Sequence, residues 1–429
     1  MRILYVSHGH PEFAAGGAEI ASYELFRRVV QLGYDAFYLA RVGPFTHPRR
    51  PGTPFQAVPG AGHREILFFS EHFDYFTHSQ KEHALITVYF REFLEALRPD
   101  VVHFSHTLHI GLEAVRQVQN VLPDAVIVYT LHEFLAICAA DGQMVRTRHH
   151  ELCDHASPVR CNWCLPDRTP QDFFLRELFF KSHLHCVDAF VAPSRFLLDR
   201  YRAWGLPEHR LHLIENGRAS QEEAPIRNVK PGEARGQIGY FGQMTPYKGI
   251  EVLLSAMRIL AGKGGDDIHL FLHGANFDLQ TAEFQAAIRE LLAACTGNVT
   301  VLPQYSQEDL PGLMENVDWV VVPSTWWENS PLTIQEGFMH RRPVICSNIG
   351  GMAEKVHDGV DGLHFTVGDP RSLADTLLRG AQEEGLWARL RGAIRPVFPV
   401  DLAAQAHAQL YRSLLERRPA PESCLVCSQ

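Results

Sequence analysis

Residues 237–260 read QIGYFGQMTPYKGIEVLLSAMRIL and carry the pattern of a strand, a loop and a helix in succession. Residues 237–241 form a short apolar run, Gly242 and Gly249 bound a polar loop, and a helical apolar periodicity follows over 250–260. This alternation is typical of parallel sheets whose two faces are both covered by helices. The stretch therefore predicts an α/β fold.

The same succession recurs in both halves of the chain. Further short apolar strands are expected at 2–6, 101–104, 125–129, 189–192, 269–273, 299–302, 318–323, 343–346 and 363–367. We therefore expect two doubly wound parallel-sheet domains facing a cleft, with a ligand in that cleft at the carboxyl ends of the strands. The expected bounds are 1–216 for the N-terminal domain with an insertion at about 138–170, 217–236 for a linker rich in glycine and proline, 237–398 for the second domain, and 399–429 for a C-terminal helix and tail.

Composition narrows the class of protein. The 429 residues include 40 basic and 49 acidic side chains, a formal net charge of −9, with 46% hydrophobic and 21% charged residues. These values exclude a disordered or fibrous protein, and the acidic balance argues against a nucleic-acid partner, which needs basic surface.

No apolar run is long enough to span a bilayer, and the apolar start is too short for a signal-peptide core. We expect a cytoplasmic protein with reduced thiols, because its nine cysteines are unevenly spaced.

The segment 328–336, ENSPLTIQE, is the sharpest local motif. Ser330 suits an N-cap and Pro331 the first helical position, so the free N–H groups of a helix start are predicted here, where they favour a phosphate. Glu328 and Glu336 are too far apart to act as an acid–base pair on one atom. They suit instead the hydroxyl groups of a sugar and a ribose on either side of the phosphate. A solvated glutamate and a helix-face glutamate fit the spacing equally well.

The loop at 242–249 adds a cation. Lys248 lies where a following helix start already favours anions, and the flanking glycines permit close backbone approach. The loop lacks the Gly-Lys-Ser/Thr sequence of a Walker motif, and no Gly-x-Gly-x-x-Gly follows any expected strand. ATP hydrolysis and nicotinamide binding are therefore less favoured functions. The alternative to an anion-binding role for Lys248 is that it is a lone surface lysine.

Two features of the first half are compatible with a ligand site. Gly16 and Gly17 open a helix and suit either a phosphate or substrate contact or a plain turn. His132 directly follows an expected strand, a position from which a side chain points into the ligand crevice. Because the chain has 24 histidines, it is the position of His132, and not its residue type, that makes it a candidate site residue.

Together these residues resemble a retaining glycosyltransferase of family 4, whose members have two Rossmann-like domains in the arrangement called GT-B. The resemblance spans essentially the whole chain. The matching elements are 16–19 (GGAE), 100–103 (DVVH), His132, 192–194 (APS), 215–217 (ENG), the loop at Lys248 and Gly249, 322–324 (VPS), and the pair Glu328 and Glu336.

The resemblance implies a role for each matched residue. Lys248 would neutralise the diphosphate of a nucleotide-sugar donor, Glu328 would contact the transferred sugar, and His132 would touch the sugar near the reacting carbon; these three are the implied catalytic residues. No metal is required for that chemistry, since the protein supplies the cations. Glu336 would accept from the ribose hydroxyls. The implied donor-binding set is Gly16, Gly17, Gln243, Lys248, Glu328, Asn329, Ser330, Pro331, Leu332 and Glu336.

Gln243 departs from the family pattern. The family usually has an arginine at this place, and a neutral amide donates a hydrogen bond but does not offset a charge. Either another cation substitutes, with Arg195 and Arg218 as candidates, or the diphosphate is held more weakly.

Four cysteines cluster in the insertion. Cys138, Cys153, Cys161 and Cys164 form a C-x14-C-x7-C-x2-C pattern in a loop-like, polar segment. Soft thiolates in such a pattern favour a tetrahedral structural zinc site, and four reduced cysteines in a mobile loop are the alternative. The tail pair Cys424 and Cys427 is predicted to bind nothing.

The function implied is transfer of a sugar from a nucleotide-sugar to an acceptor hydroxyl with retention, on a glycan or lipid-linked acceptor. Two alternatives stay open: a nucleotide-sugar epimerase on the same fold, and a non-catalytic nucleotide-sugar-binding protein. An aromatic-rich stretch at 66–76 suits a peripheral contact with the inner face of the membrane, but a buried strand or helix is favoured there.

Overall fold

Two parallel sheets organise the computed structural model, which describes residues 1–13, 16–230, 233–295 and 297–417. Each sheet belongs to its own unit of the chain. Unit 1 comprises Met1–Ala219 together with the segment that starts at Phe398, and unit 2 comprises Ser220–Val397.

Unit 1 is built on a main sheet of eight strands with the order β10-β9-β8-β7-β1-β2-β4-β3. The strands of this sheet are β1 (Arg2–Ser7), β2 (Asp35–Val42), β3 (Phe55–Ala57), β4 (Glu65–Phe69), β7 (Val101–Phe104), β8 (Val126–Thr130), β9 (Ala189–Ala192) and β10 (Leu211–Leu213). A separate small hairpin is formed by β5 (Phe73–Asp74) and β6 (Ser79–Gln80). The first helices of unit 1 are α1 (Gly17–Gln31), α2 (Arg91–Leu97) after a π-helical turn at Leu85–Phe90, α3 (Glu113–Val121), α4 (Pro158–Cys164), α5 (Pro170–Leu184) and α6 (Arg195–Trp204). Of the paired strands in this sheet only β3 is antiparallel, and it pairs with β4.

Unit 2 has a wholly parallel sheet with the order β13-β12-β11-β14-β15-β16. Its strands are β11 (Gln237–Gln243), β12 (His269–Ala275), β13 (Val299–Leu302), β14 (Trp319–Val322), β15 (Val344–Ser347) and β16 (Gly362–Phe365). Its helices are α7 (Ile250–Leu260), α8 (Ala282–Ala294), α9 (Leu310–Met314), α10 (Leu332–Met339), α11 (Gly350–Lys355), α12 (Pro370–Gln382) and α13 (Leu386–Ala393); α14 (Val400–Arg417) then returns to unit 1. This strand order has its switch point between β11 and β14, where such sheets bind ligands.

Burial explains why these strands form. In β1, residues Ile3, Leu4, Tyr5 and Val6 are all fully buried, so both faces of the strand lie in the core, as a sheet covered by helices requires. The α14 helix completes that core: the hydroxyl group of Tyr411 is fully enclosed and hydrogen-bonds to Nδ1 of His103 and to the hydroxyl group of Tyr5.

The strands expected from sequence are confirmed, with bounds that shift by up to two residues. The aromatic-rich stretch is largely structural, as favoured, because Leu67, Phe68 and Phe69 are buried in β4, while Tyr75 is exposed. The β2 strand was not predicted. No described helix has the length and apolar character needed to cross a bilayer.

Candidate functional site

An ion pair lies at the carboxyl edge of the unit 2 sheet. The Nζ atom of Lys248, just after β11, is 2.6 Å from Oε1 of Glu328, which follows β14. The same Oε1 accepts from the Ser324 hydroxyl at 2.8 Å and from the Trp326 indole N–H at 3.1 Å. Glu328 is only 6% exposed, so its charge is held by these three donors in place of water. In the described part of the chain its other oxygen, Oε2, has no hydrogen-bond partner.

Glycines allow the loops around this pair to approach one another. Gly249 has φ +72°, and a Cβ there would lie 1.8 Å from the carbonyl oxygen of Pro323. A Cβ on Gly351 would lie 1.6 Å from the carbonyl oxygen of Asn329, and the Gly351 N–H donates to the carbonyl oxygen of Glu328 at 2.8 Å. Both positions therefore require glycine for a steric reason.

The predicted start of the following helix is wrong. The α10 helix begins at Leu332, its N-cap is Pro331 in an extended conformation, and no side chain caps it. The reason lies in Pro331, whose ψ of 120° is extended, so that the first residue with helical geometry is Leu332. The Ser330 hydroxyl is buried and has no hydrogen-bond partner in the described chain. The amides that follow Pro331 are therefore the open end of this helix.

Glu336 lies inside α10 and is 3% exposed. Its Oε1 accepts from the Gln307 side-chain amide at 2.9 Å. The Gln307 amide therefore occupies one carboxylate oxygen of Glu336.

In unit 1, Gly16 at the start of α1 lies against a carboxylate. Gly16 is the N-cap of α1, and a Cβ there would lie 2.4 Å from Oε2 of Glu19. The Oε1 atom of Glu19 is 3.0 Å from Nε2 of His8, which follows β1. Burial acts to raise the pKa of Glu19, but the charge and hydrogen bond of His8 outweigh it and lower the pKa. Gly16 therefore lies against a carboxylate of the protein itself, whose lowered pKa favours its charged form.

A second histidine–carboxylate pair lies beside the first. The His106 ring packs on the His8 ring with centroids 4.3 Å apart, and its Nε2 is 3.2 Å from Oε1 of Glu133. Burial, with the nearby His8, holds the pKa of His106 well below its usual value, and burial raises the pKa of Glu133. At neutral pH this pair is therefore a hydrogen bond between groups biased toward their neutral forms.

His132 lies directly after β8, as predicted, and is partly buried. Burial lowers its pKa to about 3, so the imidazole is neutral at pH 7. It lines a cavity of about 20 Å³ together with Thr130, Asn216 and His407. A neutral imidazole here offers one donor and one acceptor for hydrogen bonds.

The cations considered as substitutes near Gln243 lie in the other unit. Gln243 is exposed at the end of β11. Arg218 belongs to unit 1, is 2% exposed and pairs with Glu24 at 3.2 Å. Arg195 also belongs to unit 1, at the exposed start of α6.

Sequence reasoning missed His8, His106 and Glu133. They follow β1, β7 and β8, which are neighbours in the sheet although they are far apart in the chain. The available signal was their position just after an apolar strand, the same signal that identified His132.

The four clustered cysteines are brought together. Cys138, Cys153, Cys161 and Cys164 line one cavity of about 30 Å³, and none forms a disulfide. Within the described ranges no three Cys, His, Asp or Glu side chains are placed so that they hold a metal ion. Cys424 and Cys427 lie outside the described residues.

Comparison with known families defines the class. The model described as Glycosyltransferase Family 4 matches residues 15–221, and the model described as Glycosyl transferases group 1 matches residues 235–383. The chain belongs to this family of glycosyltransferases, and its two parallel-sheet α/β units give it the GT-B type of fold.

Individual curated relatives match part of the chain at low sequence identity. The D-inositol 3-phosphate glycosyltransferase of Salinispora tropica is 30% identical over 240 residues, which are 54% of this chain and 46% of that protein. The chain spans about half the length of the curated relatives it matches.

Among solved structures, sucrose-phosphate synthase from Thermosynechococcus elongatus has a TM-score of 0.72 at 18% identity, covering 97% of this chain and 100% of that one. Anabaena HepE in complex with UDP-glucose has a TM-score of 0.64 at 16% identity, covering 96% of this chain and 100% of that one. These likenesses show the fold.

Proposed function

We propose that this protein transfers a sugar from a nucleotide-diphosphate sugar to an acceptor hydroxyl with retention of configuration, in glycan, polysaccharide or glycolipid biosynthesis. The observation that carries the proposal is the Lys248–Glu328 pair at the switch point of the unit 2 sheet. A buried carboxylate and a lysine at that edge suit a ligand that is both sugar and diphosphate.

The chemistry follows from the charges. Cleaving a sugar–phosphate bond builds negative charge on the leaving diphosphate and positive charge on the sugar. Lys248 would stabilise the diphosphate, and one such preorganised contact contributes about 3–4 kcal/mol. Glu328 keeps Oε2 for a sugar hydroxyl while Ser324 and Trp326 hold Oε1 in place.

The rest of the donor site follows from α10. The amides at its open end would bind the phosphate oxygens, and Glu336 would accept from the ribose hydroxyls. No metal enters this proposed chemistry. The exposed Gln243 amide would add a hydrogen bond to the diphosphate without offsetting its charge.

Unit 1 would supply the acceptor side. His132, neutral at pH 7, would orient a sugar hydroxyl through hydrogen bonds. Gly16 and Gly17 would line the approach to the site, with Glu19 and His8 behind them. The acceptor would be a glycan or a lipid-linked sugar, and we place the reaction in the cytoplasm or at the inner face of the membrane.

A second function is favoured by Gln243: binding of a nucleotide-sugar without turnover. Where a cation is replaced by an amide, affinity for the diphosphate persists through Lys248 while stabilisation of the leaving group falls.

The test begins with thermal unfolding against UDP-, GDP-, ADP- and dTDP-sugars, because a ligand that binds only the folded state raises Tm. We expect one nucleotide class to stabilise the wild type and to lose its effect in Lys248→Ala and Glu336→Ala. Lys263→Ala is the matched control, since Lys263 is an exposed lysine of unit 2 that pairs with Asp375.

Turnover then separates the alternatives. Release of nucleoside diphosphate with a glycosylated product supports the transferase. Conversion of the donor to its epimer without acceptor would identify an epimerase, and stable binding without either reaction would identify a binding protein. Absence of any Tm shift in the wild type contradicts the donor site itself.

A further inference from the structure

We propose that Cys138, Cys153, Cys161 and Cys164 bind one structural Zn²⁺ ion in unit 1. All four cysteines line a single cavity of about 30 Å³. A cavity of about 10–15 Å³ already holds one water-sized sphere, so this one is large enough for one ion. Four thiolates around one ion form the donor set of a structural zinc site.

Local backbone structure brings the four cysteines to this cavity. Cys161 and Cys164 lie one turn apart on α4, whose N-cap Ser157 accepts from the Arg160 N–H. Residues Val145 and Leu152 form an isolated antiparallel bridge, and the Cys153 N–H that follows it donates to the carbonyl oxygen of Met144 at 2.7 Å.

Further hydrogen bonds hold these pieces to one another. The Cys138 N–H donates to the carbonyl oxygen of Phe134 at 2.8 Å, and the Thr147 hydroxyl donates to the carbonyl oxygen of Cys164 at 2.8 Å. The ligands would therefore come from three pieces of chain whose backbones are already arranged around the cavity.

Arg176 supplies an independent electrostatic argument. Its side chain is 4% exposed and donates to the carbonyl oxygens of Phe76, Leu135 and Ala136. No carboxylate of the described residues lies within ion-pair distance of it, although Cys138, Cys161 and Glu133 are all close enough to raise its pKa. A buried cation without a counter-ion is costly, and a zinc ion with four thiolates carries a net charge of −2 that would offset it.

The thiols must turn for the metal to bind. In the structure the Cys138 thiol donates to the carbonyl oxygen of Ala140 at 3.6 Å, and the Cys153 thiol donates to that of His155 at 3.2 Å. Binding would release four protons, one from each thiol, and form four Zn–S bonds without oxidation or reduction. The change requires side-chain rotation, since the thiols are not in coordination geometry.

The ion would replace a core that this segment lacks. The α4 helix has no buried residue, so apolar packing contributes little to its position. With zinc bound, residues 138–164 would be fixed just beyond His132 and Glu133, between β8 and α5. The site would be structural and would not enter the transfer reaction.

The test is the zinc content of the full chain, purified without a metal-affinity tag and passed over chelating resin. We expect about one zinc per chain in the wild type and loss of that zinc in Cys138→Ser and Cys161→Ser. Cys186→Ser is the matched control, because Cys186 is a buried free cysteine of the same unit outside the cluster, and it should retain the metal.

A second measurement uses the wild type, so that the test does not depend on whether the cysteine variants fold. Wild-type protein stripped by a chelator and refilled with Co²⁺ should show thiolate-to-cobalt charge-transfer absorption that Zn²⁺ abolishes. Zinc-free wild type without a cobalt band overturns the proposal, as does full zinc retention in both cluster variants. Iron with acid-labile sulfide, or fewer free thiols in the unfolded chain because of a disulfide, overturns it too. These readouts do not depend on sugar transfer, so they stand apart from the proposed function.

Discussion

The carboxyl edges of the two sheets differ in the charge they hold. At the unit 2 edge, Lys248 and Glu328 form a close ion pair. At the unit 1 edge, His106 and Glu133 have pKa values shifted toward their neutral forms, and His132 is neutral at pH 7. The unit 2 edge thus presents a lysine–glutamate ion pair, whereas the unit 1 edge presents these three groups beside the Glu19–His8 pair, in which the pKa of Glu19 is lowered. Charge suits a diphosphate, and neutral donors and acceptors suit sugar hydroxyls.

The largest expected effect tests the charged edge. Lys248→Ala should lower kcat by about 10²–10³-fold, because it removes the cation that would stabilise the leaving diphosphate. Steady-state kinetics with the donor identified by thermal unfolding measure it. Lys263→Ala should behave as wild type, and a Lys248→Ala enzyme with near-normal kcat would break the contrast between the two edges.

The second prediction concerns the backbone of the charged edge. Gly351→Ala should lower the free energy of unfolding by about 2–3 kcal/mol, since its Cβ would overlap the carbonyl oxygen of Asn329. Urea unfolding of the full chain measures it. Gly392→Ala, at a helical position with open space, should be neutral or stabilise by up to about 1 kcal/mol. Equal effects at the two glycines would contradict the steric argument.

The third prediction sharpens the role of Glu336. Glu336→Gln should weaken nucleoside diphosphate binding roughly tenfold, because a hydrogen bond to a charged group contributes about 1.5 kcal/mol or more. Calorimetric titration with the ribonucleotide and its 2′-deoxy form separates the causes. The 2′-deoxy form should bind the wild type more weakly than the ribonucleotide does. Its affinity should fall little further in Glu336→Gln, because a hydroxyl group that Glu336 would bind is already absent. If its affinity falls as much as that of the ribonucleotide, Glu336 acts elsewhere.

The smallest effect tests the neutral edge. Burial lowers the pKa of His132 to about 3, so below about pH 6.5 the unfolded chain binds a proton there that the folded chain does not. That difference removes stability as the pH falls from about 6.5 toward 3. In His132→Gln the loss should be smaller by about 1 kcal/mol at pH 5.5.

Urea unfolding at pH 7 and at pH 5.5 measures this difference. The exposed His209→Gln is the control and should follow wild type at both pH values. An unchanged pH dependence in His132→Gln would mean that His132 is solvated, and the contrast between the edges would weaken.

The sequence predicts the parts of this molecule that depend on local pattern. The apolar runs of β1 and β14 are buried on both faces, so they are continuous and easily recognised. Lys248 and Glu328 were found because each lies in a loop just after such a strand. The β2 strand was missed because Asp35 and Arg41 lie among its apolar residues.

The histidine–carboxylate pairs of unit 1 were missed for a different reason. His8, His106 and Glu133 meet because β1, β7 and β8 are adjacent in the sheet, an adjacency that chain order does not state. The α10 start was missed by one residue because the extended ψ of Pro331 delays the first helical turn. Such features depend on tertiary neighbours or on a single dihedral angle.

The return of α14 to unit 1 has a consequence for synthesis on the ribosome. Residues 1–219 are translated before unit 2, but their core stays incomplete until Tyr411 of α14 reaches His103 and Tyr5. Unit 2 is continuous in the chain, and its last strand, β16, ends at Phe365, before α14 begins at Val400. Unit 2 can therefore fold before the core of unit 1 is complete, and loss of α14 would damage unit 1, most of which is translated before unit 2.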